Sequence, residues 1–412
     1  LQETITLEQI VRELTMTSRF LLALLCAVFG VSSPSFAQSE AERAELGRLL
    51  QEATSADKAG KYREAIGLYR KMLDIIEPAA GSESGPAGRV MLLMGLAQHE
   101  IPEYSKAETT LLRAYKITEA VSGGQSAELS QCVNALARVY FDMTDYDRSI
   151  RYATQNIDMI EAKLGRDHRF VAPLLDLIST AHSHRREMKA AEDAARRAMA
   201  IREKHFGANS IEMASSLSNL AVLHGNFGRQ EQSRDLLLKA LAIQEALDKV
   251  SPATLDNLGT SYSSLGDFKK GLEYARRAVE LDEKQKGPNH PDTTMSRRNL
   301  AVLLADEGEL AEASRLLEQS RSAQERFGKD HLMYVETLEM ADQKWNGKIH
   351  QYRFFLAMAY WQLGEKDKTR QAYDQGAQWM DQTQASNEEQ RRFRAEAAEL
   401  LGISEPTDAR PQ

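Results

Sequence analysis

Leu217 to Glu245 reads LSNLAVLHGNFGRQEQSRDLLLKALAIQE, Leu255 to Glu283 reads LDNLGTSYSSLGDFKKGLEYARRAVELDE, and Arg297 to Glu325 reads RRNLAVLLADEGELAEASRLLEQSRSAQE. In each, a small residue follows Leu (Ala221, Gly259, Ala301) and a Gly falls seven positions later (Gly228, Gly266, Gly308). An apolar helical stretch comes next. A fixed period of this kind specifies a stacked repeat array, because one helical hairpin cannot bury its apolar face alone.

Working outward, the small residue recurs at Ala53, Gly95, Ala137, Ser179, Ala221, Gly259, Ala301 and Ala357, in steps of 42, 42, 42, 42, 38, 42 and 56. Nine positions after each stand Tyr62, Tyr104, Tyr146, Met188, Gln230, Phe268, Leu310 and Lys366. Three positions further on come Ala65, Ala107, Ser149, Ala191, Ser233, Gly271, Ala313 and Thr369. Two antiparallel helices joined by a tight turn approach closely only where side chains are small, and larger neighbours then interlock. Gly60, Gly228, Gly266, Gly308 and Gly364 fall where the first helix of a hairpin ends, a place for a left-handed C-terminal cap.

Composition agrees with an all-α chain. Hydrophobic content is 42 %, charged content 27 % and aromatic content 7 %, a helix-favouring mix. A net charge of −8 over 412 residues argues against non-specific nucleic-acid binding. Cys26 and Cys132 give neither a disulfide framework nor a zinc spacing. Cys132, with Leu129, Val133 and Leu136, falls on an apolar helical face and reads as a buried, inert thiol.

The pattern resembles the tetratricopeptide repeat, and its 42-residue period is similar to the long variety of kinesin light chains. The run Asn-Leu-Ala/Gly at Asn219, Asn257 and Asn299 carries that resemblance, as does the loop Gly287-Pro288-Asn289-His290-Pro291-Asp292-Thr293. The resemblance implies a right-handed α-solenoid superhelix of about eight helix-turn-helix units. Residues 41–343 make about seven repeats, and residues 344–402 a terminal repeat with a capping helix. That closing unit, rich in aromatics (Tyr352, Phe354, Phe355, Tyr360, Trp361, Tyr373, Trp379), resembles the terminal repeat of planctomycete-type bacterial proteins. It reads as a cap on the open end of the array. Residues 403–412 have the composition of a disordered tail.

At the amino end, residues 16–37 have the form of a secretory signal peptide: Arg19, an apolar run from Phe20 to Val31, and small residues at Ser35 and Ala37. Residues 1–15 form an upstream extension, the mark of a mis-set start. An extracytoplasmic chain follows, with no stable membrane span after cleavage. The alternative is anchoring through an uncleaved segment.

No Gly-rich phosphate loop, HExxH, CxxC, GxSxG or kinase run occurs. The expectation is therefore a non-enzyme with no cofactor and no metal site. The His residues of the inter-repeat loops read as loop-fixing groups, and AGSESGPAGR at 80–89 reads as a loop. In tetratricopeptide arrays the first helices line the inner face. On this chain that implies a peptide-binding groove of Asn134, Arg138, Asp176, Asn219, Asn226, Asp256, Asn257, Arg298 and Asn299. Amides both donate and accept, so they suit an extended backbone. The expected function is an exported scaffold or adaptor for a protein or peptide. The alternatives are a regulatory or sensory component, an enzyme with an unrecognised site, and self-association through the open end of the array.

Overall fold

The computed structural model describes residues 39–101, 103–122, 126–309, 312–313, 315–317, 319–320, 353, 357, 366–383 and 388–402. The signal-peptide reading at 16–37, the upstream extension, the tail and most of the aromatic terminal repeat lie outside the described residues. Among those residues all regular structure is helical.

In chain order the helices are α1 (Glu40–Lys58), α2 (Tyr62–Ala80), α3 (Gly85–Glu100), α4 (Tyr104–Ser122), α5 (Ala127–Asp142), α6 (Tyr146–Leu164), α7 (Val171–His184), α8 (Met188–Phe206), α9 (Ile211–Asn226), α10 (Gln230–Ala246), α11 (Pro252–Ser264), α12 (Phe268–Lys286), α13 (Pro291–Asp306), α14 (Lys366–Thr383) and α15 (Glu388–Leu401). Odd and even members from α1 to α12 pair as the first and second helices of six hairpins, and α13 opens a seventh. The position nine after the small residue is the first residue of α2, α4, α6, α8, α10, α12 and α14.

The chain divides into two compact units, residues 1–243 and 244–412. The division falls in the last turn of α10, within the one repeat, Ala221 to Gly259, that is shorter than the others. The repeat pattern alone draws 41–343 as one array. In the first unit the first helices of successive repeats also touch: α3 with α5, α5 with α7 and α7 with α9. In the second unit α11 touches α13 in the same way.

Helix ends explain themselves locally. Ser39 and Glu42 form a reciprocal capping box on α1, and Ser84, Ser126 and Ser210 each accept a bond from the third amide of their helices. The Nδ1 of His290 accepts from the amide of Asp292 at the start of α13 (3.2 Å), the loop-fixing role expected. The hairpin turns share one device. The amide of Lys61 donates to the carbonyl five residues back (Ala56, 2.9 Å), and Asp145, Glu187, Arg229, Asp267 and Glu309 donate equivalently, the closing bond of a Schellman cap. The residue before each has positive φ. It is Gly60, Gly228, Gly266 and Gly308 in four turns, but Thr144 (60°) and Arg186 (62°) in the other two.

The stretch 80–89 is a shorter loop than expected. Only 81–84 is non-helical, because Ser84 caps α3 and Pro86 sits in its first turn, both helix-start signals. Gly88 is already in the helix, where an added Cβ would meet Ile117 Cγ2 at 2.9 Å.

The two small positions of each hairpin, Ala53 and Ala65 in the first, are where its helices meet. Ala53, Ala65, Ala107, Ala137, Ala191, Ala221, Ala301 and Ala313 are buried. Serines at this place satisfy themselves across the hairpin: Ser149 Oγ donates to the Ala137 carbonyl and Ser179 Oγ to the Ala191 carbonyl, each at 2.8 Å. At Gly259 and Gly271 the backbones themselves approach. A Cβ on Gly271 would lie 2.9 Å from the Gly259 carbonyl oxygen. Around these contacts the first unit packs Leu46, Tyr69, Met91, Leu111, Leu136 and their neighbours, and the second packs Leu300, Leu304, Leu316 and Tyr373. Cys132 is buried in the first unit, and burial pushes its thiol up to about 11.

Candidate functional site

The nine residues expected to line a groove all fall on first helices, and their surroundings separate them. In the first unit Arg138 on α5 and Asn219 and Asn226 on α9 are exposed, while Asn134 is half-buried. Asn226 Nδ2 reaches Ser183 Oγ at 3.5 Å, and its carbonyl accepts from Arg186 Nη1 at 2.9 Å, so it also joins α9 to α7.

Asp176 does not stand free on this face. Arg202 on α8 donates through Nη1 to Asp176 Oδ1 (3.2 Å) and through Nη2 to Oδ2, and Nη1 also donates to Ser216 Oγ on α9 (2.8 Å). The guanidinium is buried, so it binds α7, α8 and α9 together at the joint between two repeats. The carboxylate is committed to that joint.

In the second unit Asn257 on α11 and Arg298 on α13 are half-buried. Asp256 is not a lining residue: it is buried on α11, where its Oδ2 lies 2.8 Å from Ser296 Oγ and accepts from Asn299 Nδ2 (3.3 Å), both of α13. Asn299 is thus turned toward the neighbouring first helix. Burial of the acid, with the neighbouring Asp282 charge adding to it, raises the Asp256 carboxyl to about 6 against the lowering effect of its bonds with Ser296 and Asn299.

Two residues of the exposed row escape a search for polar side chains. The position directly after the small residue holds half-buried Thr54 in the first repeat and Leu96, Arg138, Thr180 and Val222 in the next four, and these four are exposed. Leu96 and Val222 keep about two-fifths of their surface in water (40 % and 41 %), unusual for large aliphatics at equivalent places of one array. The period that located Arg138 also locates them. The row offers two apolar contacts, one cation and one hydroxyl on successive first helices. Asn219 stands on the same helix as Val222, three residues before it and therefore close to its face.

The histidines of this region are committed elsewhere. His182 Nδ1 lies 2.6 Å from Glu187 Oε2, while His184 stacks on Tyr146 with ring centres 5.0 Å apart. His99 Nε2 bonds Asp142 Oδ2 at 2.5 Å between α3 and α5. No group of three or more His, Cys, Asp or Glu able to hold a metal occurs among the described residues, and no described helix is long and apolar enough to cross a membrane.

Family models described as tetratricopeptide repeat match residues 129–204 and 251–326 and residues 213–247. A curated relative, the clustered mitochondria protein homolog of Aspergillus clavatus, is 26 % identical over 195 residues, covering 45 % of this chain and 15 % of its own length. The chain therefore spans about one-seventh of the length of such relatives. A tetratricopeptide repeat protein from Parabacteroides merdae has an 11 % identical structure with a TM-score of 0.50, covering 72 % of this chain and 98 % of its own. The nearly identical TPR-like repeats of a Podosopora anserina putative kinesin light chain are 20 % identical with a TM-score of 0.39, covering 48 % and 96 %.

Proposed function

The chain is a tetratricopeptide repeat protein, and from that membership we propose that it is a non-catalytic scaffold whose first-helix face binds an extended segment of another protein. The fold is suited to protein interaction. The observation that carries the reading is the exposed row Leu96, Arg138, Thr180 and Val222 on four successive first helices, beside His99, Asp176 and Asn226, which instead bind repeats to each other. Successive first helices pack side by side at ~8–10 Å, so a row of this kind meets a peptide every two to three residues of an extended chain at ~3.3 Å per residue. The apolar members supply burial, and Arg138 and Asn219 supply donors to backbone carbonyls or an acidic side chain.

The test is capture followed by substitution. Partners crosslinked to the intact chain in its own cells are identified by mass spectrometry, and their binding to the Arg138→Ala, Val222→Asp variant is measured. The expected loss is at least tenfold in affinity, as for a central interface residue, with helicity and melting unchanged. Full affinity for every captured partner in a folded variant would remove the proposal.

We also propose that the chain works outside the cytoplasm, supported by the composition of residues 16–37. The expected observation is a mature amino terminus at Gln38. A cytoplasmic chain retaining residues 16–37 would contradict it.

A further inference from the structure

The joint between repeats that holds Asp176 in the first unit recurs in the second with one charge reversed. Its three positions, Asp176, Arg202 and Ser216, have equivalents two repeats later at Asp256, Asp282 and Ser296. In the first unit an acid faces a guanidinium, and the serine hydroxyl accepts from that cation. In the second unit the guanidinium is replaced by a carboxyl. Ser296 Oγ lies 2.8 Å from Asp256 Oδ2 and 2.7 Å from Asp282 Oδ2, and all three side chains are buried.

A hydroxyl has one proton to donate. With both carboxyls ionised, one of these two short contacts would set an anionic oxygen against a hydroxyl lone pair, in a buried site where such a clash is costly. One added proton removes the conflict: Asp256 donates to Ser296 Oγ, and Ser296 donates to Asp282. The surrounding charges say which acid carries it. On α12, Lys286 Nζ lies 3.0 Å from Asp282 Oδ1 and keeps that carboxylate compensated. Glu283 is paired with Arg297 of α13, Asp292 with Lys286, and Glu245 at the end of α10 with Arg277. Among the described residues no cation pairs with Asp256. The Oδ1 atoms of both acids are buried without a hydrogen bond, but that of Asp282 faces the Lys286 ammonium group.

We propose that Asp256 and Asp282 share one proton across Ser296, and that this proton makes the α11–α12–α13 joint a pH-sensitive clasp, tight when protonated and loosened when the proton leaves to water. The proton does in the second unit what Arg202 does in the first. Burial, which raises Asp256 to about 6, places the release within the mildly acidic range. Because the folded-state value lies above the ordinary carboxylate value of ~3.9, the stability this group contributes is complete below that value and is lost as pH rises through about 6. The many exposed carboxylates held low by Arg and Lys partners, such as Glu312 and Asp267, act in the opposite sense. The effect must therefore be read as a difference between variants.

The experiment is a carbon-detected NMR titration of the aspartate carboxyls in the full chain, with hydrogen exchange of α11 and α13 at pH 5 and pH 7.5 corrected for the intrinsic rate. The Asp256 carboxyl is expected to titrate near 6. The opening equilibrium of α11 and α13 in the wild type, relative to Asp256→Asn, should rise about tenfold from the lower to the higher pH. Asp282→Arg, which rebuilds the first unit's arrangement, should abolish that rise. An Asp256 carboxyl titrating below ~4.5, or a protection difference equal at the two pH values, would overturn the proposal. The wild-type titration decides the matter even where a variant does not fold.

Discussion

Arg202→Ala is expected to cost the first unit about 3 kcal/mol of stability. Removing one partner of a buried ion pair leaves the other as an uncompensated charge, and here it also strips Ser216 of its donor and α7, α8 and α9 of their shared contact. The value is set at the low end of the range for such losses because Asp176 keeps 23 % of its side chain in water and can recover part of its hydration. The charge-free double variant Asp176→Leu, Arg202→Leu should be more stable than Arg202→Ala alone, since replacing both members of a buried pair is close to neutral. Urea midpoints of the three chains decide it. A single variant within ~0.5 kcal/mol of wild type would show that the joint is solvated and contributes little.

The second large effect concerns the close approach of hairpin helices. Gly95 sits mid-helix on α3, where Ala would ordinarily stabilise by ~1 kcal/mol. Here an added Cβ would meet Leu111 Cγ and Cδ2 of α4 at 2.6 and 2.7 Å, and Leu111 is fully buried. Gly95→Ala should therefore destabilise by ~1–3 kcal/mol, the sign reversed by overpacking. Leu111→Ala should cost ~3–5 kcal/mol through the cavity it leaves. Together the two should cost clearly less than their sum, because the new methyl occupies part of the space the leucine vacates. Strict additivity would mean that the small residue is not there for the contact with α4.

That pair shows which features are legible in the sequence and which are not. The paired small positions of each hairpin, the first residue of each second helix, and the turn Gly are local and periodic, so the period exposes them. The stretch 80–89 reads as a longer loop than it is because Gly, Ser and Pro are common both in loops and at helix starts. Only the approach of Ile117 explains a helical Gly88. The face residues divide for a different reason. Asp176 and Asp256 look like their exposed neighbours in the sequence, but their partners lie 26 and 40 residues away, on other helices. Leu96 and Val222 are missed when polarity, rather than register, guides the choice. The same register carries the recurrence two repeats on that sets Asp282 in the place of Arg202.

The exposed first-helix row, and not the second helices, is the face expected to meet the partner. The most direct measurement is site-specific photo-crosslinking in cells. A photoreactive residue is placed at position 138 or 222, and in matched chains at position 151 or 193, which are exposed on the second helices α6 and α8. One discrete crosslinked partner is expected from 138 and 222, and none of that partner from 151 or 193. Crosslinking of the same partner from 151 and 193 alone would contradict it.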